Sequence, residues 1–252
     1  MAVLFRQLFE PQSSTYTYLI ACSDTGQAVL VDPVLETFDR DLKIVRELGL
    51  TLAYTLDSHI HADHLTSALK LKSVAGSQIA VPAAAGVACA DVLVREENPF
   101  TVGNLNLKAL FTPGHTDHHH CYVVEDGPWQ VVLTGDCLLI DGCGRTDFQS
   151  GSSTELYASV REKLFSLPDD TLVYPGHDYK GRCVSSIAQE RGRNPRLKDG
   201  TDLNMFIKIM QGLDLPYPKK MDLAVPANML CGQCPADVPE GMERLCDVSV
   251  QG

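Results

Sequence analysis

A dense run of histidine and aspartate residues sets the strongest constraint on how this chain can fold. Residues 59–64 read His-Ile-His-Ala-Asp-His. Imidazole and carboxylate groups packed this closely cost free energy unless a metal ion or hydrogen bonds compensate them, so the fold has to gather them around one point. Zinc and iron both accept these ligand types. Three more candidate ligands each directly follow a glycine: His115, Asp136 and His177.

The hydrophobic pattern predicts that strands deliver these candidate ligands. Short apolar runs end just before His59, before Asp136 and before His177. His59 and His61 are two residues apart, so their side chains point to the same side of an extended chain. Strand ends are where α/β sheets usually place their sites, and we therefore predict the functional site there.

Strand-like and helix-like patterns alternate in two successive halves of the chain. Apolar residues recur at helical spacing between residues 38 and 48, and Ser152 with Glu155 is typical of a helix N-terminus. No low-complexity linker separates the halves. The pattern predicts a single α/β sandwich, with one domain at 1–232 and a cysteine-containing tail at 233–252.

Charge and hydropathy argue against several classes of partner. The chain carries 32 acidic and 21 basic residues, a formal net charge of −11, whereas a nucleic-acid surface normally shows a basic patch. No apolar run approaches the roughly 18 residues needed to span a bilayer. The N-terminal residues lack the long apolar stretch of a signal peptide. The sequence therefore predicts that the protein binds neither nucleic acid nor membrane.

The nine cysteines are odd in number and widely dispersed. In a chain of this length, that pattern is typical of reduced thiols in the cytoplasm and not of a disulfide framework. Cys231 and Cys234 have the C-x-x-C spacing of some zinc sites, but only Cys246 lies near them in sequence. We interpret the tail cysteines as ordinary thiols and predict a cytoplasmic location.

The residues alone leave the number of metal ions open. Seven ligands suffice for two ions bridged by Asp136, and two-metal sites activate water for hydrolysis. In that arrangement one ion is bound by His59, His61 and His115, and the other is bound by Asp63, His64 and His177. The smaller set of His59, His115 and Asp136 is a two-histidine, one-carboxylate triad, which leaves open positions for O2 and a substrate on Fe(II).

The run at 59–64 resembles the signature of the metallo-β-lactamase superfamily. The resemblance implies an α/β fold of four layers, an αββα sandwich, with the site at one edge of the two sheets. It also implies that His115, Asp136 and His177 supply the remaining ligands. Many hydrolases share this run, so it does not decide the reaction.

A longer string gives a narrower resemblance. Residues 142–149 read Gly-Cys-Gly-Arg-Thr-Asp-Phe-Gln, and this string is similar to one in the persulfide dioxygenases. Further segments that match that family lie at 9–11, 31–37, 174–181, 194–197 and 226–228. The resemblance covers roughly residues 3–232 and identifies this part as the catalytic domain.

The persulfide dioxygenase resemblance implies one Fe(II) per chain, bound by His59, His115 and Asp136. The implied reaction oxidises glutathione persulfide with O2 and water to sulfite and glutathione. Four residues then support the ligands or accept protons: His61, Asp63, His64 and His177. Two alternatives stay open, a glyoxalase II-like hydrolase with two metals acting on S-D-lactoylglutathione and a binding protein without turnover. The sequence also leaves a homodimer open.

Four residues near the matched strings are candidates for glutathione contacts: Arg145, Tyr179, Lys180 and Arg182. A guanidinium can bind a carboxylate through two hydrogen bonds, and a tyrosine can hydrogen-bond an amide or thiolate. For Arg145, the alternative is an ion pair with Asp147 that holds a loop. For Lys180 and Arg182, the alternative is a solvated surface position.

The chain departs from the family pattern just after His115. Residues 118–120 are three consecutive histidines, where relatives usually have Pro-Gly and small residues. We interpret them as a surface loop that leads into the next strand, with an approach of one of them to the metal as the alternative. Cys143 lies in the most specific string, and both tight packing and a catalytic role remain open for it.

Overall fold

The computed structural model describes residues 3–242, and the chain divides into two compact units. The first unit consists of Met1–Val94, Thr101–Leu105 and Pro216–Gly252, and the second of Arg95–Phe100 and Asn106–Leu215. Each unit has its own hydrophobic core and carries most or all of one six-stranded sheet.

The first sheet contains six strands in chain order, antiparallel from β1 to β3 and parallel from β3 to β6. Its strands are β1 (Val3–Glu10), β2 (Thr15–Cys22), β3 (Gln27–Val31), β4 (Thr51–Leu56), β5 (Gln78–Pro82) and β6 (Val92–Val94). Helices α1 (Phe38–Glu47) and α2 (Ala68–Ala75) pack on this sheet because Phe38, Leu42 and Leu71 share one core with Leu19 and Leu30. A 3-10 turn, Leu35–Thr37, precedes α1, and another, Ala83–Ala85, follows β5.

The second sheet also follows chain order: it is antiparallel from β8 to β10, parallel between β10 and β11, and antiparallel between β11 and β12. Its strands are β7 (Phe100–Val102), β8 (Leu105–Phe111), β9 (His120–Asp126), β10 (Trp129–Gly135), β11 (Leu172–Pro175) and β12 (Ser185–Ser186). The helices of the second unit are α3 (Ser153–Ala158), continued by a π-helical segment (Ser159–Leu164), α4 (Ile187–Arg193) and α5 (Leu203–Gln211). Ser152 caps α3 by accepting a hydrogen bond from the Glu155 amide, as predicted.

Strand ends position the candidate ligands, which confirms that part of the sequence prediction. β4 ends three residues before His59, and β10 ends directly before Asp136. β11 ends at Pro175, two residues before His177. Because β10 and β11 are parallel neighbours, their carboxyl ends lie at the same edge of the sheet.

The end of the described chain corrects the prediction of reduced thiols. Cys231, just after α6 (Met221–Asn228), forms a disulfide with Cys89, and Cys234 is also disulfide-bonded. Residues 233–242 form no helix or strand, although Val238 and Met242 pack against a small core. Cys246 lies outside the described residues, and the boundary at residue 232 stays a prediction. Among the described residues, no helix is both long and apolar enough to cross a membrane.

Candidate metal centre

In the second unit, two of the predicted site residues, His115 and His177, lie close to the carboxylate of a third, Asp136. The Nδ1 atom of His177 is 2.7 Å from Oδ1 of Asp136. The Nε2 atom of His115 is 3.5 Å from Oδ2 of the same side chain. Metal bonds to nitrogen and oxygen are about 2.1 Å long, so this separation lets His115 and Asp136 share one ion.

The His115 ring is oriented by a backbone carbonyl in the 142–149 string. Its Nδ1 atom donates to the carbonyl oxygen of Arg145 at 2.8 Å, which directs Nε2 towards Asp136. Metal-bound histidines are commonly oriented in this way through their second nitrogen. Gly144 permits the close approach, because a Cβ there would lie 2.3 Å from the Asp136 carbonyl oxygen and 2.8 Å from His115 Nδ1.

The three histidines at 118–120 are buried, so the predicted surface loop is wrong. His119 has no exposed surface; its Nε2 accepts the backbone N–H of Asp136 at 3.1 Å, and its Nδ1 lies 3.0 Å from Thr112 Oγ1. His120 is the first residue of β9 and packs against Phe111. A run of polar residues resembles a surface segment in sequence, and only the sheet contacts show that it enters the core.

In the first unit, Asp32 organises the beginning of the histidine run. It follows β3 and accepts the Ser58 backbone N–H at 2.6 Å and the Ser58 hydroxyl at 2.9 Å. The Ser58 hydroxyl also lies 2.9 Å from His59 Nδ1, and this contact leaves Nε2 of His59 as the atom for metal ligation. Asp32 lies in the string 31–37 quoted above, but its sequence position gave no indication of this contact.

His61 is a buried partner of two carboxylates. Its Nε2 lies 3.1 Å from Asp32 and 3.9 Å from Asp57. Burial alone would lower the pKa of His61, but the Asp32 charge and hydrogen bond raise it to about 9. Burial raises the pKa of Asp57 to about 7. Both carboxylates favour a proton on Nε2 of His61, which donates to Asp32.

Asp63 and His64 complete a second group of possible ligands in the first unit. Oδ2 of Asp63 lies 3.2 Å from His64 Nδ1, and the Thr15 hydroxyl lies 3.3 Å from the same oxygen. One ligand atom from each of His61, Asp63 and His64 lies within 4.8 Å of the others, close enough to hold a metal ion.

The side chain of Asn228 holds the backbone of the histidine run. Its Nδ2 donates to the carbonyl oxygens of His61 and His64, both at 2.9 Å. Its Oδ1 accepts the backbone N–H of Thr66 at 2.9 Å. The segment 226–228 was noted above only as a matching string, and nothing local in the sequence indicated that Asn228 contacts a loop more than 160 residues earlier.

The four candidate glutathione contacts differ in their surroundings. Arg145 makes two hydrogen bonds to Asp147, at 2.6 and 2.7 Å, and lies over the Phe148 ring. Arg182 binds both Asp178 and Asp141. The two remaining candidates, Tyr179 and Lys180, are exposed, and the Tyr179 ring stacks on the His177 ring.

Cys143 is buried among core residues, with Arg196 donating to its carbonyl oxygen at 2.8 Å. Burial raises the pKa of its thiol to about 11. A thiol with this pKa is almost entirely protonated at neutral pH, and the thiolate is the nucleophilic form. The packing interpretation therefore fits Cys143 better than a nucleophilic role.

The fold and the ligand run identify the class of protein. A family model of the metallo-beta-lactamase superfamily matches residues 11–177, and the chain belongs to that superfamily. A metallo-beta-lactamase structure from Staphylococcus aureus, 23% identical, shares the fold with a TM-score of 0.82, covering 90% of this chain and 72% of its own. The predicted α/β fold class is confirmed.

More similar relatives narrow the assignment. The mouse protein named persulfide dioxygenase ETHE1, mitochondrial, is 47% identical over 91% of this chain and 89% of its own length. The human protein of the same name is 46% identical over the same shares. The crystal structure of ETHE1 from Myxococcus xanthus is 52% identical, has a TM-score of 0.87 and covers 91% of this chain and 100% of its own. Within the superfamily, the chain therefore belongs to the persulfide dioxygenases.

Proposed function

We propose that this protein is a persulfide dioxygenase that oxidises glutathione persulfide with O2 and water, using one ferrous ion bound by His59, His115 and Asp136. The observation that carries the proposal is the orientation of His115 by the Arg145 carbonyl, which belongs to the string shared with the persulfide dioxygenases. The proposed reaction yields sulfite and glutathione and releases protons.

The donor set fits iron. All three side chains are among the histidine and carboxylate groups that can hold a metal ion. Two imidazoles with one carboxylate form the set used by non-haem Fe(II) oxygenases, which keep coordination positions open. Bound ferrous iron would supply the activation of O2, and the protein would supply orientation and a controlled environment.

The neighbouring polar residues are proposed to support these ligands. His177 donates to Asp136 and so fixes the orientation of the carboxylate. Nε2 of His61 donates to Asp32 at 3.1 Å, so this hydrogen bond occupies that ring nitrogen. This contact supports His61 as a residue that orients its neighbours and does not bind the metal through Nε2. Asp63 and His64 are proposed to accept protons released during sulfur oxidation.

The substrate is proposed to lie near the His177 loop. Glutathione persulfide is an anion, and a protein with a net charge of −11 needs local cations to attract it. Lys180 and Tyr179 are both exposed, and Tyr179 stacks on His177, so both side chains lie where a ligand can reach them. Contacts of Arg145 and Arg182 with glutathione stay predictions. Glutathione binding would require each guanidinium to contact the ligand as well as the carboxylate that it already binds.

One observation favours a second candidate, the two-metal thioester hydrolase. Among the described residues, Nδ1 of His61 has no hydrogen-bond partner although it is buried, and His61 belongs to the group with Asp63 and His64. A second ion there would make the protein glyoxalase II-like. Its relatedness to the persulfide dioxygenases supports the single-metal proposal instead.

The decisive experiment combines metal analysis with turnover. The protein is loaded with Fe(II) without oxygen, its iron content is measured, and glutathione persulfide and O2 are added. The proposal expects close to one iron per chain and one sulfite formed per O2 consumed. Two metal ions per chain with hydrolysis of S-D-lactoylglutathione would support the hydrolase, and iron-loaded protein that consumes no O2 contradicts the proposal.

A variant pair tests the ligand assignment. Asp136→Ala is expected to lose both iron and turnover, whereas Asp170→Ala, which alters an exposed carboxylate, retains both. Retained iron in the Asp136 variant would contradict its role as a ligand.

Two of the proposed properties concern the whole protein. The homodimer stays a prediction that a measurement of mass in solution tests. The cytoplasmic location also stays a prediction, and the Cys89–Cys231 disulfide removes part of its basis. The mouse and human relatives carry names that include the word mitochondrial.

A further inference from the structure

The proposed function leaves the histidine run at 118–120 without a role. His119 is fully buried in the second unit and immediately precedes β9. Its ring stands edge-on to the ring of His115, with 6.3 Å between the ring centres. A buried imidazole beside two proposed metal ligands is costly to maintain unless its two nitrogens have defined partners.

The partners of His119 form a chain with one consistent direction. Because Nε2 accepts the N–H of Asp136, the ring proton lies on Nδ1 and is donated to Thr112 Oγ1, 3.0 Å away. The Thr112 hydroxyl donates to Cys121 Sγ at 3.2 Å, and the Cys121 thiol donates to the Thr134 carbonyl oxygen at 3.5 Å. His119, Thr112 and Cys121 each accept one hydrogen bond and donate one, so only one tautomer of His119 satisfies all of these contacts.

The two ends of this series of hydrogen bonds lie at the same strand, β10. Thr134 belongs to β10, and Asp136 directly follows that strand. A carboxylate can bind metal with a fixed geometry only if the turn that carries it is held in place. The hydrogen bond from the Asp136 N–H to His119 holds that turn on the side of β9.

We propose that His119 is a positioning residue for the metal centre, whose neutral imidazole, protonated on Nδ1, fixes the turn that carries the Asp136 carboxylate. This inference rests on the proposed role of Asp136 as a ligand. It assigns a task to one of the three histidines in which this sequence departs from the family pattern.

Two substitutions separate positioning from packing. The side-chain amide of glutamine can place an oxygen where Nε2 lies, whereas asparagine reaches only the position of Nδ1. His119→Gln is expected to keep the Fe(II) affinity within about twofold of the parent, and His119→Asn is expected to lower it on the order of tenfold or more.

Affinity is measured by competition with a chelator, and the visible spectrum of the Co(II) form reports the ligand geometry. A changed Co(II) spectrum is expected for the asparagine variant only.

The outcomes are distinguishable. If the parent protein binds no Fe(II), the proposed function fails and this inference fails with it. If the parent binds Fe(II) and both folded variants match it in affinity and Co(II) spectrum, only the inference is overturned. Should His119→Asn not fold, nitrogen-15 NMR of the metal-free parent decides: the proposal expects a neutral His119 ring protonated on Nδ1, and a proton on Nε2 overturns it.

Discussion

Glycine 144 shows how a single residue limits the geometry of the metal centre. Its backbone N–H donates to the Asp136 carbonyl at 2.7 Å, and a Cβ at this position would collide with that oxygen and with His115 Nδ1. Two proposed ligands therefore approach the chain at a point where no side chain fits.

Gly144→Ala is expected to displace His115 and to lower the Fe(II) affinity on the order of tenfold or more, because the added methyl group has no space. Gly192→Ala is the matched control, since that residue lies in α4 and a Cβ there would meet nothing within 4 Å. The control should bind iron normally and gain roughly 0.5–1 kcal/mol in stability. Metal titration and urea unfolding of both variants provide the test, and unchanged iron binding by Gly144→Ala would contradict the argument.

At the scale of an element, α6 stabilises a loop far away in the sequence. The Asn228 side chain hydrogen-bonds two carbonyl oxygens of the histidine run and the backbone N–H of Thr66 just after it. A buried backbone group that loses its partner costs about 1–3 kcal/mol.

Asn228→Ala is therefore expected to reduce the free energy of unfolding by about 2 kcal/mol or more, and to weaken iron binding as the loop loosens. The control is Asn204→Ala, an exposed position on α5, where little change is expected. Urea denaturation followed by circular dichroism measures both. Equal stability of the two variants would exclude the proposed role of Asn228.

The loop after β11 is stabilised by a buried carboxylate. Burial opposes ionisation of Asp178, but the backbone N–H and guanidinium of Arg182 and the N–H of Lys180 hold its pKa below its usual range. A carboxylate whose pKa is lower in the folded state stabilises the protein above its unfolded pKa of about 3.9. That stabilisation is lost as the pH falls through the lower, folded pKa.

Asp178→Asn should thus cost stability at pH 7, by about 1–3 kcal/mol, and the difference from the parent should shrink as the pH falls below about 4. The exposed Asp170→Asn is the control and should differ little from the parent at either pH. Denaturation curves at a series of pH values measure the effect. A difference that stays constant down to pH 3 would argue against the ionised Asp178 as its source.

At the scale of the whole molecule, the disulfide joins residues 142 positions apart. Closing a long loop removes conformational freedom from the unfolded chain, and disulfides contribute about 2–4 kcal/mol in this way. Cys89→Ser should lower the unfolding temperature under non-reducing conditions, and in reductant the parent and the variant should have the same unfolding temperature. Cys183→Ser, which alters an exposed thiol, is the control. A parent that is insensitive to reductant would contradict the prediction.

Sequence reasoning succeeded where the signal is local. The apolar spacing between residues 38 and 48 predicted α1, and Ser152 with Glu155 predicted the start of α3, because periodicity and capping residues act over a few positions. Strand ends before Asp136 and His177 were predicted for the same reason.

The contacts that sequence reasoning missed are long-range or independent of side-chain type. The Asn228 contacts and the Cys89–Cys231 pair join distant segments, and no local pattern encodes them. Arg145 was considered for its guanidinium, whereas the structure shows its carbonyl oxygen contacting His115. Any residue supplies a carbonyl, so side-chain chemistry could not identify this role.

The Asn228 contacts also have a consequence for how the protein is synthesised. His61 and Asn228 are 167 residues apart, and translation at roughly 5–20 residues per second needs about 8–33 s to cover that distance. During this interval the growing chain has left the ribosome with its histidine run but without the side chain that holds it. Maturation with iron in the cell is therefore expected to wait until Asn228 has been synthesised and has emerged from the ribosome.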